Sequence, residues 1–250
     1  AEWIRGDYVI SDATLNRFFA FHVILLPLLL ALLVYLHIVA LHKVGSNNPD
    51  GVEIKKQKDA DGKPLDGVPF HPYYTVKDTF GVGMFLTVYL AIVFFLPELG
   101  GWFLEKDNFN PADILQTPPD IVPLWYLTPY YSILRAVTFE WLPGGAKLWG
   151  VIAMGAAIMI FFFLPWLDRS RVRSIRYRGW MYKTMLTLFA VTFVMLGYLG
   201  TKNPGHVDLI WFKNVTWAQI GLVIYFAFFL LMPIYTRLDR TYAEPDRLTK

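Results

Sequence analysis

The stretch FHVILLPLLLALLVYLH, residues 21–37, is almost wholly apolar, yet it carries a histidine near each end, His22 and His37. A hydrocarbon core of about 30 Å takes roughly 20 helical residues to cross. Widened to 18–41, this run is long enough, and backbone groups in lipid must pair internally, so a transmembrane helix is expected. At about 100° per residue, fifteen steps turn a helix through four circles plus roughly 60°. His22 and His37 therefore fall on nearly one face, about 22 Å apart along the axis at ~1.5 Å per residue. Pro27, between them, should bend the helix and can shift that angle. Two imidazoles at opposite depths, with no acid on the span, fit axial ligation of two haem irons better than a proton relay. The plainer alternative is a pair of polar groups satisfied by a neighbouring helix or by interfacial water.

The rest of the chain supports a membrane setting. Of its 250 residues 55% are apolar and 17% charged, where a soluble domain carries about one quarter charged residues. Four further apolar runs, near 79–98, 147–167, 182–200 and 216–236, are long enough to span. The expected fold class is all-α: an integral membrane bundle with five transmembrane helices. Phe18, Phe19, Trp102, Trp149, Trp166, Trp180 and Trp217 lie at span ends, as interfacial aromatics do. There is no cysteine, which excludes disulfides, thiolate metal sites, iron–sulfur ligation and covalent c-type haem within this chain. The opening AEWIRGDYVISDATLNRFF has no basic segment followed by a short apolar core and cleavage site, so no signal peptide is evident. It reads like sequence from the middle of a protein.

Basic residues concentrate in the linkers 42–78 and 168–181 and in the tail after residue 236. That asymmetry assigns these segments, with the C-terminus, to the cytoplasmic side. The runs RSRVRSIRYR and KKQKDADGK serve as topology signals and anionic-lipid contacts rather than nucleic-acid patches. The outer-side connection 99–146 is long, proline-rich and aromatic. Its composition argues against disorder and for short helices folded back onto the membrane face. Bis-histidine haem needs two axial ligands per iron, and only two histidines lie within spans; His42, His71 and His206 are in or beside linkers. A haem reading therefore requires opposite ligands from another polypeptide or a missing N-terminal part.

Five motifs in order, DATLNRFFAFH (12–22), LHKVGSNNPDG (41–51), FHPYYTVKD (70–78), PLWYLTPYYSILRA (123–136) and FLPWLDRS (163–170), resemble the cytochrome b family of respiratory quinol:cytochrome c oxidoreductases. The resemblance runs through nearly the whole chain. It suggests the C-terminal part of that eight-helix family, from just before the fourth helix onward. Residues 1–44 would hold the outer connector end and the haem helix, and 45–250 the quinone-site part with four spans.

The resemblance implies two non-covalent b-type haems, with His22 an axial ligand of the outer, low-potential one and His37 of the inner, high-potential one. It implies an inner quinone-reducing site at His42, Ser46, Lys77 and Asp78, where His and Asp can deliver protons to a reduced quinone. Read without the family, LHKVGSNNP is a helix end with a glycine cap, and HPYYTVKD a loop entering a helix. The outer quinol-oxidising site would lie around Pro123, Trp125, Tyr126, Leu127 and Tyr131. Here the family's Pro-Glu-Trp-Tyr motif reads Pro123-Leu124-Trp125-Tyr126, and a leucine has no donor, acceptor or titratable proton. Glu140 first and Asp120 second are candidates for the missing carboxylate.

Implied partners are an N-terminal part carrying the opposite ligands, an iron–sulfur protein, a cytochrome c-type subunit, quinone, lipid, and a second copy of the complex. The implied setting is a bacterial inner membrane. The competing reading is a non-redox transmembrane bundle, a transporter half or an assembly subunit.

Overall fold

The structure, a computed structural model, describes residues 2–101, 103–104, 109–111, 121–141 and 143–248. Asp120 and Trp102 lie outside the described residues. Among the described residues the regular secondary structure is helical, apart from one isolated bridge between Lys58 and Pro64. Four helical segments are long and apolar enough to cross a membrane: Asp12–Val44, Tyr73–Phe95, Gly145–Leu167 and Trp180–Gly200. A fifth, Asn214–Leu230 plus Met232–Leu238, passes the same test as a bent pair with a 58° break. Four of the five expected spans are present as single helices and the fifth as this bent pair; the first two begin six residues earlier than expected, at Asp12 and Tyr73.

The helices are α1 (Glu2–Arg5), α2 (Asp12–Ala20), α3 (Leu26–Val44), α4 (Tyr73–Phe95), α5 (Thr128–Ala136), α6 (Gly145–Met159), α7 (Leu164–Leu167), α8 (Trp180–Gly200), α9 (Asn214–Leu230) and α10 (Met232–Leu238). Prolines mark three of the joins. Pro27 opens α3 after a π-turn, Phe21–Leu25. Pro165 opens α7 after a 3-10 turn, Ile160–Phe163. Pro233 opens α10 at the 58° bend. Proline has no N–H for the preceding turn and its ring crowds the carbonyl four residues back, so an otherwise apolar span changes pitch or direction there.

The chain divides into two compact units, residues 1–48 with 55–118, and 49–54 with 119–250. In the first, α2 is capped by Ser11 and Thr14. The Ser11 N–H donates to Thr14 Oγ1 at 3.2 Å, and that hydroxyl donates to the Arg5 carbonyl at 2.7 Å. Beyond that cap, the π-turn, α3 and α4 bury no side chain.

The second unit is a packed bundle. Ile133, Ala157, Tyr225, Leu196 and Phe229 are fully buried at its centre. The short helix α5, within the 99–146 connection, lies against α6, α8 and α9. Glycines allow this closeness. A Cβ on Gly200 would collide with the Thr128 carbonyl, and one on Gly150 with the Leu134 carbonyl. Helix association in lipid depends on such small-residue contacts, because apolar surface alone gains nothing by leaving lipid tails. Residues 49–54 belong to this unit through polar links: Ser174 Oγ donates to the Pro49 carbonyl at 2.5 Å, and Arg176 pairs with Asp50 at 2.9 Å.

Candidate functional site: a histidine span and two groups of polar residues

His22 and His37 both lie exposed on the Asp12–Val44 span, and neither takes a hydrogen-bond partner among the described residues. The flanking side chains are large and apolar: Phe21, Val23 and Ile24 beside His22, Leu36 and Ile38 beside His37, each at least 43% exposed. A free imidazole on a bare apolar face is a donor set suited to haem: neutral nitrogen for the iron, and apolar surface for the macrocycle. On that chemistry the residues present fit a b-type haem at each position.

Four residues expected at an inner quinone site are placed by the two ends of the first unit's spans. His42 stands in the last turn of α3, and Gly45 closes that helix at φ 88°, donating its N–H to the Leu41 carbonyl at 2.7 Å. Ser46 follows in the exposed loop. Lys77 and Asp78 lie in the second turn of α4. Lys77 Nζ sits 5.7 Å from the Tyr74 ring centroid. All four side chains are exposed, and no hydrogen bond or ion pair joins His42 or Ser46 to Lys77 or Asp78 among the described residues.

The outer motif forms a 3-10 turn, Trp125–Leu127, that leads directly into α5. Thr128 is buried and its hydroxyl donates to the Trp125 carbonyl at 2.7 Å, fixing that turn. Trp125 and Tyr126 meet edge to face with centroids 5.6 Å apart, and both stay at least half exposed. Leu124 and Leu127 are each 40% exposed, so the turn presents an apolar, aromatic surface. The Tyr131 hydroxyl lies 3.5 Å from the Ile121 carbonyl, and its ring carries the Arg135 guanidinium at 4.4 Å. Glu140 is exposed, with its carboxylate beside Gly145 at the start of α6. Among the described residues no hydrogen bond joins it to Tyr126 or Tyr131.

The sequence reading missed Arg135 and Ser132. Arg135 Nη2 donates to the carbonyls of Leu199 and Gly200 at 2.8 and 2.9 Å, capping the C-terminus of α8. Desolvation lowers its pKa from the usual guanidinium value, with the Tyr131 phenol acting the other way. Arg135 Nε and the Ser132 hydroxyl are buried without a partner. Both line a cavity of about 10 Å³ with Asn214 and Pro204; space and donors together suit one buried water. The arginine in SILRA was visible, but nothing local shows which carbonyls it would reach.

The cytochrome b C-terminal/b6/petD family model matches residues 111–229, and the cytochrome b N-terminal/b6/petB model matches residues 1–117. The cytochrome b of Allochromatium vinosum is 55% identical over 99% of this chain and 58% of its own length. That of Rhodospirillum rubrum is 45% identical over 91% of this chain and 50% of its own. A solved chain of a hyperthermophilic respiratory complex III superposes with a TM-score of 0.78 at 36% identity, covering 94% of this chain and 54% of that one. The chain thus spans about half the length of the curated relatives it matches. One expectation needs correcting: the chain does not correspond to a C-terminal part alone, because the N-terminal family model accounts for residues 1–117, including the histidine span and α4. The expected N-terminal partner is narrowed in the same way. Two models that together run from residue 1 to 229, and a superposition over nearly the whole fold, agree with the histidine span and the ordered motifs: the chain belongs to the cytochrome b family.

Proposed function

We propose that this chain is the electron-transferring membrane core of a quinol:cytochrome c oxidoreductase. The observation that carries the reading is the pair of unpartnered imidazoles, His22 and His37, on a bare apolar span in a cytochrome b-family chain. Each would hold the iron of a b-type haem, His22 at the outer, low-potential site and His37 at the inner, high-potential one. When bound, the two haems supply one-electron carriers at two depths of the membrane. The spans here provide one ligand per iron, so the opposite ligands come from outside residues 1–250.

The remaining residues bind quinone and handle protons. At the outer side the turn Pro123–Leu127 offers an apolar seat, with the Tyr126 and Tyr131 hydroxyls as hydrogen-bonding groups for a quinol. Leu124 cannot accept a proton, so Glu140, exposed on the same outer segment, takes that role. At the inner side His42 and Asp78 deliver protons to reduced quinone, while Ser46 and Lys77 hold its oxygens. Lys77 and Asp78 stand on successive positions of α4, one turn from its start. An iron–sulfur protein and a cytochrome c-type subunit are the electron acceptors on the outer side. The complex works as a homodimer in a bacterial inner membrane with the C-terminus cytoplasmic. Residues 1–44 form the haem-binding part and 45–250 the quinone-site part.

A reduced-minus-oxidised optical spectrum of the purified membrane complex tests the reading. A b-type band supports it; a featureless difference spectrum returns the chain to the non-redox bundle. The proton role of Glu140 is tested separately with Glu140→Gln. Quinol oxidation with an unchanged rate and pH profile eliminates that residue.

A further inference from the structure

The Asp12–Val44 span is not one uniform α-helix. Between α2 and α3 it opens into a single π-turn, Phe21–Leu25, closed by the Leu26 N–H donating to the Phe21 carbonyl five residues back. The next donor position is Pro27, which has no N–H. The wider register ends there, and α3 begins. His22 is the second residue of that turn. We infer that this π-turn, held open by Pro27, is a positioning element that swings His22 into line with His37, and that Pro27 is the residue that sets the phase between the two imidazoles. This rests on the proposal that both are haem ligands.

The warrant is angular. A purely α-helical span leaves the two histidines roughly 60° apart after fifteen steps. A π-turn closes on i→i+5 instead of i→i+4, so it takes up one residue more than an α-turn, worth about 100° of phase. Were that surplus wholly between the histidines, the offset would pass from about +60° to about −40°. His22 lies inside the turn, so only part of the surplus falls between them. The offset lands within that range, nearer to alignment than an unbroken α-helix allows.

On a helix of ~2.3 Å radius, 60° displaces a Cα by about 2 Å and the imidazole further. Metal–ligand distances hold only within about 0.2 Å, so an error of that size decides whether iron at the outer position is properly ligated. Pro27 causes the widening for a steric reason. In an α-helix its ring would meet the Val23 carbonyl four residues back, and its missing N–H would leave that carbonyl unpaired. With alanine at 27 both obstacles vanish, the turn closes to α geometry, and His22 rotates away.

The test uses the assembled membrane complex with two variants, Pro27→Ala and Pro27→Ala with Leu25 deleted. The readouts are haem-to-protein ratio and the electron paramagnetic resonance signals of the two low-spin ferric haems. In Pro27→Ala the outer-haem signal should move or disappear while the inner signal stays at its wild-type position, which also shows that the bundle has folded. Deleting Leu25 in that background leaves fourteen α-helical steps, an offset of about −40°, and should restore the outer signal. Rescue by removing a residue from a transmembrane helix is not expected if Pro27 merely stabilises the span.

The inference is overturned if Pro27→Ala leaves both signals unchanged. It is equally overturned if the outer signal, or both signals, are lost and the deletion does not bring them back. A His22→Ala control separates the two layers of the argument. If that variant keeps both haems, the ligand assignment itself fails. If it loses the outer haem while Pro27→Ala is silent, the assignment stands and only the phase device falls.

Discussion

The two units of this molecule both contain long apolar helices and solve the packing problem in opposite ways. In the second, α5, α6, α8 and α9 bury Ile133, Leu196, Tyr225 and Phe229 completely. In the first, α3 and α4 bury nothing. The difference lies in small residues and polar handles rather than in oiliness. Gly150, Gly200 and Gly221 sit where any Cβ would strike a neighbouring helix. Buried hydroxyls tie helices through carbonyls, as Tyr225 does to Ala157 at 2.8 Å. On α4, by contrast, Gly81 and Gly83 face open space. Lipid tails are as apolar as leucine, so close backbone approach and hydrogen bonds must hold a membrane bundle together. The second unit has both within its own sequence. The first has an apolar face and two imidazoles without a hydrogen-bond partner among the described residues.

Removing an imidazole should therefore have the largest effect. His22→Leu is expected to abolish the outer haem and His37→Leu the inner one, each with quinol oxidation lost, while the packed unit keeps its thermal transition. Haem analysis and a melting curve on the same preparation check both halves. Loss of the packed unit's transition in His22→Leu would break the contrast between a ligand-dependent unit and a self-sufficient one.

The next effect belongs to the second unit. Gly200→Leu places a side chain against the Thr128 carbonyl, where even a Cβ does not fit. Overpacking of this kind costs about 1–3 kcal/mol, or more where backbone must move. The melting transition in detergent should fall by several degrees, and the turn Trp125–Leu127, anchored through Thr128, should shift with it. Haem content should be much less affected than in the histidine variants. Equal loss of both haems would erase the distinction between the units.

The spans were legible because each is an uninterrupted apolar run of bilayer length, and their placement needed no tertiary information. The histidine pair was legible for the same reason, being two polar groups in a wholly apolar field. The turn at Phe21–Leu25 was only half visible. Pro27 announced a disturbance, but whether a proline kinks, tightens or widens a helix depends on the turn before it, which sequence does not specify. Pro233 and Pro165 illustrate the range, one giving a 58° bend and the other following a 3-10 turn. The tight seat of α5 rests on Gly150, 16 residues beyond its contact Leu134, and on Gly200, 72 residues beyond its contact Thr128, which no local pattern links to it. The inner-site residues were named through resemblance. Their chemistry is readable at each position, but α3 and α4 bury no side chain that would bring them together.

Arg135→Met is expected to cost about 1–2 kcal/mol. The hydrogen bonds it removes involve a charged donor, and the residue is only partly buried. Methionine keeps the volume but leaves the last carbonyls of α8 without their cap. Arg135→Lys should recover only part, since both bonds leave the one nitrogen Nη2, which an ammonium can imitate, but the guanidinium plane over the Tyr131 ring is lost. If lysine restores the full melting temperature, charge at the helix terminus, and not geometry, is what matters there.

The smallest effect is expected where residues 49–54 meet the second unit. Asp50 is buried and accepts from Arg176 at 2.9 Å and from the Tyr177 hydroxyl at 3.1 Å. The Arg176 side chain is 60% exposed, so the ion pair itself contributes under about 1 kcal/mol. The phenol is more informative. Desolvation, then the hydrogen bond to Asp50, raises the Tyr177 pKa above its ordinary value. A raised folded pKa means that the stabilisation is fully present below about pH 10, the free tyrosine value, and is lost as pH climbs through the higher folded value. Asp50→Asn removes the carboxylate that disfavours phenolate, so Tyr177 should titrate at lower pH than in the wild type, and the alkaline window of stability should narrow. Ultraviolet phenolate absorbance, referenced to Tyr177→Phe, resolves the shift, and limited proteolysis across residues 49–54 reports whether the contact has opened. An unchanged Tyr177 titration in Asp50→Asn would mean that burial alone holds the phenol neutral, leaving these residues attached mainly through Ser174 and Glu53.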